Sequence, residues 1–359
     1  MKRFKVAIVG ATGMVGQRFV TLLENHPAFT PVALLASRRS AGMRYADAVK
    51  SKWAMNTPVP FYARNMTVLD AAFPEQLTGV ADFVFCAVDM PKREVKSLEE
   101  AYARCEIPVV SNNSAARQEP DVPMVIPEIN PEHLAVIPAQ KKRLGTKHGF
   151  IAVKSNCTLQ SYVPLLTPLR TFGLKSVAIC TLQAISGAGK TYGSMPEILD
   201  NVIPYIDGEE EKSETEPLKI WGVVENGNIL PALSPKITAQ CLRVPVSDGH
   251  TAAVFVSFEK KPTKEDIISA WTNFQGEPQR LRLHSAPQKF IHYFEEPDRP
   301  QPKRDRDLER GMAISAGRLR EGGLFDYKFV GLSHNTLRGA AGGAILLAEL
   351  LAAKGYFHS

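Results

Sequence analysis

Phe4-Lys5-Val6-Ala7-Ile8-Val9, followed by Gly10-Ala11-Thr12-Gly13-Met14-Val15-Gly16, opens the chain with a β-rich run, a glycine loop and an apolar-periodic stretch that predicts a helix over residues 14–24. Glycines three apart at such a junction permit a tight turn and a close approach of backbone to a ligand. The first N–H groups of a helix have no partners within it, so they suit an anion. Gly10, Thr12, Gly13, Met14 and Val15 are therefore the expected contacts of a diphosphate. The competing reading is a turn with no ligand, and the position directly between strand and helix favours the dinucleotide.

Working outward, residues 31–35 read as a second buried strand, ending at Ser37-Arg38-Arg39-Ser40. A carboxylate at that strand end would bond a ribose 2′-hydroxyl; guanidinium groups suit a 2′-phosphate through forked, charge-assisted bonds. With Arg38 and Arg39 beside Ser37 and Ser40, and no acid among them, the expected cofactor is NADP. The competing reading is a solvated basic turn. Further strands are expected at residues 81–88 and 107–111, separated by a helix over 92–105. Strands alternating with helices make a parallel, doubly wound sheet.

From about Lys154 the texture changes. Longer apolar strands at residues 176–184 and 251–258 predict an α+β unit on a mixed or antiparallel sheet. A last helical run, residues 339–354, is expected to pack back on the first unit. The fold class is thus α/β: a Rossmann-type doubly wound domain, residues 1–154 with 335–359, plus a catalytic and dimerisation domain, residues 155–334. Residues 138–149, rich in lysine, and 294–307, rich in proline and charge, read as surface loops.

Composition narrows the class. The 359 residues are 44% apolar and 22% charged, ordinary for a globular protein. No apolar run reaches the roughly 18 residues that span a bilayer. The basic start, Met1-Lys2-Arg3, lacks the apolar core of a secretory signal, so a cytoplasmic location is expected. Five cysteines without CxxC spacing argue against a disulfide framework or a zinc site, and the eight histidines show no paired metal spacing. The net charge of +6 is spread among acids, as in Pro302-Lys303-Arg304-Asp305-Arg306-Asp307, which does not suit nucleic acid but does suit anionic small molecules.

Two pieces carry chemistry. Lys154-Ser155-Asn156-Cys157-Thr158 ends a short strand, residues 150–153, and begins an apolar-periodic segment. A cysteine at a helix N-terminus is held toward thiolate by the dipole; the bland alternative is a small buried hydrophobe. Arg243-Val244-Pro245-Val246-Ser247-Asp248-Gly249-His250 presents a histidine on a turn between strands, a plausible acid/base because an ordinary imidazole titrates near neutral pH. The alternative is a surface histidine without a role.

Together these pieces resemble the aspartate-semialdehyde dehydrogenase family. The likeness spans nearly the whole chain: GATGMVG from Gly10, ASRRSAG from Ala36, SNNSAARQEPDVPMVIPEIN from Ser111, SNCT from Ser155, QAISGAGK from Gln183, EEEK from Glu209, RVPVSDGH from Arg243 and SHNTLRGAAG from Ser333. The last two resemble the archaeal and fungal branch. The resemblance implies a catalytic trio of Cys157 as nucleophile, His250 as acid/base and Gln183 orienting the acyl group. Arg243 would clamp the substrate carboxylate and Glu209 meet its amino group, while Arg117, Lys212 and Asn113 would hold phosphate and substrate. Ser186, Gly187, Gly189 and Asn335 would line the nicotinamide. The implied reaction is NADPH-dependent reductive dephosphorylation of aspartyl phosphate to aspartate semialdehyde and phosphate, by a homodimer or homotetramer, with no metal. Lys154-Ser155 stands where the family more often has Asn-Pro or Gly-Gly, and Ala87-Val88-Asp89 replaces a commoner Ala-Leu-Pro. Rival readings are a malonyl-coenzyme A reductase of the same fold, an N-acetyl-glutamyl-phosphate reductase and a non-catalytic nucleotide sensor.

Overall fold

The computed structural model describes residues 3–357; Met1 and Lys2, in the basic start, and His358 and Ser359 lie outside the described residues. Seven strands form one sheet: β1 (Phe4–Val9), β2 (Phe29–Ala36), β3 (Val68–Asp70), β4 (Phe83–Cys86), β5 (Val109–Ser111), β6 (Met124–Val125) and β7 (Ile151–Lys154). They lie in the order β3-β2-β1-β4-β5-β7-β6, and every neighbouring pair is parallel. Val6 to Val9 and Phe83 to Phe85 are wholly enclosed, because helices cover both faces of such a sheet. This is the doubly wound sheet that the opening stretch predicts.

The helix after the glycine loop runs Met14–Leu22, stopping short of residue 24. Asn25 adopts a left-handed backbone (φ 58°) and Pro27 follows, so the chain cannot continue as helix. Both expected loops are corrected, residues 294–307 holding the short helix Pro302–Asp305 with Asp305 buried. Residues 138–149 are not a loop throughout, since Ile137–Leu144 is a helix. Pro138 sits in its first turn, where a missing N–H costs nothing, and Gly145 closes it at φ 73°. Gln140 bonds Asp121 and Ile151 backbone from within, so the lysines occupy only the outer face.

The second sheet holds β8 (Leu174–Gln183), β11 (Lys236–Arg243), β12 (His250–Phe258), β13 (Ile291–Phe294), β14 (Ile314–Glu321) and β15 (Tyr327–Ser333), with a small separate hairpin of β9 (Val223–Glu225) and β10 (Asn228–Leu230) between β8 and β11 in the chain. Its order is β11-β8-β12-β15-β14-β13, with β11–β8 and β13–β14 parallel and the other pairs antiparallel, so the sheet is mixed. Burial alternates along β12. Ala252, Val254 and Val256 face a core shared with Leu165, Trp271 and Phe329, and the intervening residues face outward.

After β15 the chain makes an irregular turn, Leu337–Ala341, and then a helix, Gly342–Ala353. Apart from Glu349 that helix is apolar on every side because it is enclosed. Ala344, Ile345, Leu347 and Leu351 share a core with Phe83, Phe85, Val110 and Phe150 of the first sheet. Glu349 on it accepts from Ser285 and pairs with His26, tying the two halves of the molecule together. Among the described residues no helix is long and apolar enough to cross a membrane.

Candidate active site

The glycine loop is built for close approach. Gly10 has φ 86°, and a Cβ there would lie 2.3 Å from the Ala87 carbonyl oxygen. A Cβ on Gly16 would meet the Gly10 oxygen at 2.1 Å, so only glycine lets helix, loop and strand pack this tightly. The helix begins at Met14 with no side chain capping its first turn, which leaves N–H groups free for an anion. Beside it lies a cleft of 680 Å³ lined by Gly10, Thr12, Gly13, Ser37 and Arg38, with Asp70, Phe73 and Ala87 to Met90 across from them. Arg38 and Arg39 are exposed in a turn closed by Ser40 N–H on the Ser37 carbonyl, and Ser40 itself is buried. The cradle and the guanidinium groups at its rim fit a phosphorylated dinucleotide. Asp70, Phe73 and Met90 were not expected. The rule that ligands gather beyond the carboxyl ends of parallel strands would have found them after β3 and β4.

Four strands of the second sheet deliver side chains to one end of it. Gln183 ends β8, its register partner Arg243 ends β11, His250 begins the antiparallel β12, and Asn335 follows β15. Cys157 follows β7 of the first sheet, and its Sγ lies 3.5 Å from His250 Nε2. Residues 93 apart in sequence thus meet where the two sheets adjoin. Gly339 leaves room for this, since a Cβ there would come within 2.8 Å of the Cys157 Cβ.

One residue, Ala184, organises the pair through its two backbone groups. The Ala184 N–H donates to His250 Nδ1 at 3.0 Å, while Arg243 Nη1 donates to the Ala184 carbonyl at 2.7 Å. An N–H pointing at Nδ1 requires a lone pair there, so the neutral ring carries its proton on Nε2, facing the sulfur. His250 is wholly buried. Enclosure, reinforced by the positive charge of Arg243, pulls its pKa down to about 3. This corrects the expectation of a turn histidine titrating near neutrality: His250 starts a strand and stands neutral. The nucleophile's setting also differs from expectation. Cys157 precedes only a four-residue 3-10 turn, Thr158–Ser161, too short for a useful dipole. Burial, and then the Glu209 carboxylate, push its thiol up, opposed by Lys154, Arg117 and Arg243.

Around the pair lies a network of buried charge. Glu209 accepts from Asn156 Nδ2 (2.9 and 3.0 Å), Lys212 Nζ (2.8 Å) and Gln183 Nε2 (3.3 Å). Burial alone would raise its carboxyl; the Lys212 charge and these donors hold it below the usual range. Glu216, which sequence reasoning missed, accepts from Arg117 Nη1 (3.0 Å) and from the Asn156 N–H (2.8 Å). It carries no motif spacing, so nothing local marks it. Arg117 Nε and both amide atoms of Asn112 are buried without partners, an opening for an anionic ligand. Asn113 instead turns inward, its Nδ2 on Glu99 (2.9 Å) and Cys86 (3.4 Å). Asn335 bridges the Gly249 N–H (2.8 Å) and Ser186 Oγ (2.9 Å), and a Cβ on Gly187 would crowd both Arg243 and His250 at 3.0 Å. Gly189 closes the same turn at φ 67°.

This arrangement matches known proteins along its whole length. Residues 5–137 fit the family model described as semialdehyde dehydrogenase, NAD binding domain, and residues 166–338 the one described as semialdehyde dehydrogenase, dimerisation domain. The chain is 44% identical over 351 residues to the aspartate-semialdehyde dehydrogenase of Methanothermobacter thermautotrophicus, covering 96% of this chain and 98% of the relative. It is 42% identical over 363 residues to the Candida albicans enzyme of that name, covering 98% of each. The crystal structure of aspartate semialdehyde dehydrogenase with NADP from Candida albicans superposes with a TM-score of 0.88 at 40% identity, over 99% of this chain and 100% of that one. With a thiol and an imidazole brought together between the two sheets, a nucleotide cradle in the first sheet, and relatives of this closeness over both halves, the chain belongs to the aspartate-semialdehyde dehydrogenase family.

Proposed function

We propose that the protein is an NADP-dependent aspartate-semialdehyde dehydrogenase that reduces the acyl phosphate of aspartate, releasing the semialdehyde and phosphate, through a thioester on Cys157. The observation that carries this reading is the 3.5 Å contact of the Cys157 sulfur with the Nε2–H of His250, where the first sheet, which bears the nucleotide cradle, meets the second. The sulfur anion attacks the acyl carbon, the bond from that carbon to the phosphate oxygen breaks, and phosphate leaves. NADPH, when bound, supplies the hydride that takes the thioester carbon to the aldehyde level. The tetrahedral oxyanion then expels the sulfur, which restores Cys157, so the chemical cycle needs no proton held on the ring nitrogen Nδ1. His250 Nε2–H steadies first the sulfur anion and then the oxyanion.

Binding roles follow from the donors. The remaining N–H groups of Arg243 meet the substrate carboxylate as a fork, and Glu209 meets its ammonium. Gln183 orients the acyl group. Arg117 and Lys212, with Asn112 in place of the expected Asn113, whose amide is committed to Glu99 and Cys86, receive the phosphate. Ser37, Arg38, Arg39 and Ser40 take the 2′-phosphate; Ser186, Gly187, Gly189 and Asn335 flank the nicotinamide. We assign residues 1–154 with 335–359 to the nucleotide half and 155–334 to catalysis and dimerisation. The outward face of β8, β11 and β12, hollowed around Ala178, Cys180, Thr238 and Phe255, is the surface for a homodimer or a pair of dimers. The working location is the cytoplasm.

The test is NADP reduction by aspartate semialdehyde with and without phosphate, run beside NADPH oxidation by malonyl-coenzyme A. Phosphate-dependent turnover of the semialdehyde is expected; turnover of the thioester alone would replace the acyl-phosphate reading. Cys157→Ala is expected to lower kcat by at least about 10⁴-fold, on the scale of removing a covalent nucleophile, while NADP still binds. Substantial residual turnover in that variant would remove the thioester.

A further inference from the structure

Generating a sulfur anion in this site faces an obstacle. Enclosure and Glu209 disfavour it, and the tautomer set by Ala184 leaves His250 no lone pair toward the sulfur. The Nε2–H of His250 can steady the anion but cannot take the thiol proton, so the rest of the support must come from charge. Three cations favour the Cys157 anion, namely Lys154, Arg117 and Arg243, and Arg117 is already committed to Glu216. Among the described residues only Lys154 and Arg243 in this group have no carboxylate partner. Arg243 is held by the Ala184 carbonyl and faces the position assigned to the substrate.

Lys154 ends β7, three residues before the nucleophile, and is 3% exposed. Its ammonium donates to the Ser155 carbonyl at 2.5 Å, the one bond it makes among the described residues although it has three donors. Burying an ammonium so sparsely bonded is costly unless an anion is to be served. We infer that Lys154 is a positioning residue for the reaction, a buried cation whose charge holds Cys157 as the thiolate. This rests on the reading of Cys157 as the nucleophile.

The groups facing Lys154 fit that role. Arg117 and Arg338 repel its proton, while Glu216 and the Cys157 sulfur attract it. Burial first, then Arg117, bring its pKa down to about 7. In the free enzyme its charge is therefore held most firmly below neutrality. Once the sulfur ionises, the anion keeps Lys154 protonated, so the pair loses one proton as a unit.

The experiment is alkylation of Cys157 by iodoacetamide across pH 6 to 10, followed by mass spectrometry of the Cys157 peptide, with turnover measured on the same samples. In Lys154→Met the midpoint is expected to rise by about one unit, making alkylation at pH 7 about tenfold slower. In Lys154→Arg, whose charge does not titrate in this range, the midpoint is expected to stay at or below that of the wild type. Thermal denaturation and NADP titration establish that both variants are folded. A midpoint in Lys154→Met equal to wild type, or equal upward shifts in both variants, would overturn the inference while leaving Cys157 as nucleophile. Full Cys157 alkylation with turnover intact would instead remove the reading beneath it.

Discussion

At the residue scale, the guanidinium of Arg243 is held by one bond to the Ala184 carbonyl, which leaves its other face for a ligand. Lysine at this position would keep a charge but lose the planar fork, and it would no longer brace Ala184, whose N–H sets the His250 tautomer. Losing one charge-assisted bond of a bidentate pair costs about 1.5–3 kcal/mol. Arg243→Lys is therefore expected to lower kcat/KM about 10- to 100-fold with NADP affinity unchanged, as steady-state kinetics and cofactor titration would report. A variant within twofold of wild type would show that this side chain does not clamp the substrate.

At the element scale, the junction of β1 with the helix Met14–Leu22 depends on distances no side chain tolerates. Gly16 has an ordinary backbone conformation; what it supplies is the absence of a Cβ, which would stand 2.1 Å from the Gly10 oxygen and 2.7 Å from the Ala11 Cα. Gly16→Ala must push the helix off the loop and misaim the N–H groups that greet the diphosphate. Overpacking of this kind typically costs about 1–3 kcal/mol. A lower melting temperature and a weaker NADP dissociation constant are expected together. Loss of stability with cofactor binding intact would mean that the loop geometry is not what holds the nucleotide.

At the scale of the whole molecule, burial of the site is visible in the response to acid. His250 and His334 are enclosed, with pKa values pulled down to about 3 and about 4 by burial. In the unfolded chain both titrate near 6.5, so between there and these lowered values the unfolded state binds more protons than the folded one. Stability is then complete above about pH 6.5 and is lost as pH falls through that window. The urea midpoint is expected to drop from pH 7 to pH 4.5, and to drop less in His250→Asn, where one of the two groups is gone. An identical fall in wild type and variant would mean that His250 is protonated in the fold well above pH 4.5.

What a reader of the chain alone could determine was local in origin. The Gly10 loop, the basic end of β2 and the parallel sheet are written in spacing and β-branched runs, and Cys157 and His250 could be named because their flanking motifs are short and distinctive. What the tertiary structure decided is everything that depends on which groups are enclosed together. The Lys-rich stretch became the helix Ile137–Leu144 because Gln140 found buried backbone partners. Glu216 entered the site from 60 residues away to hold the Asn156 N–H. The expected low thiol pKa reversed in direction, and the histidine expected to titrate near neutrality was pulled far below it. Desolvation and charge sum over neighbours distant in sequence, and no local pattern records that sum.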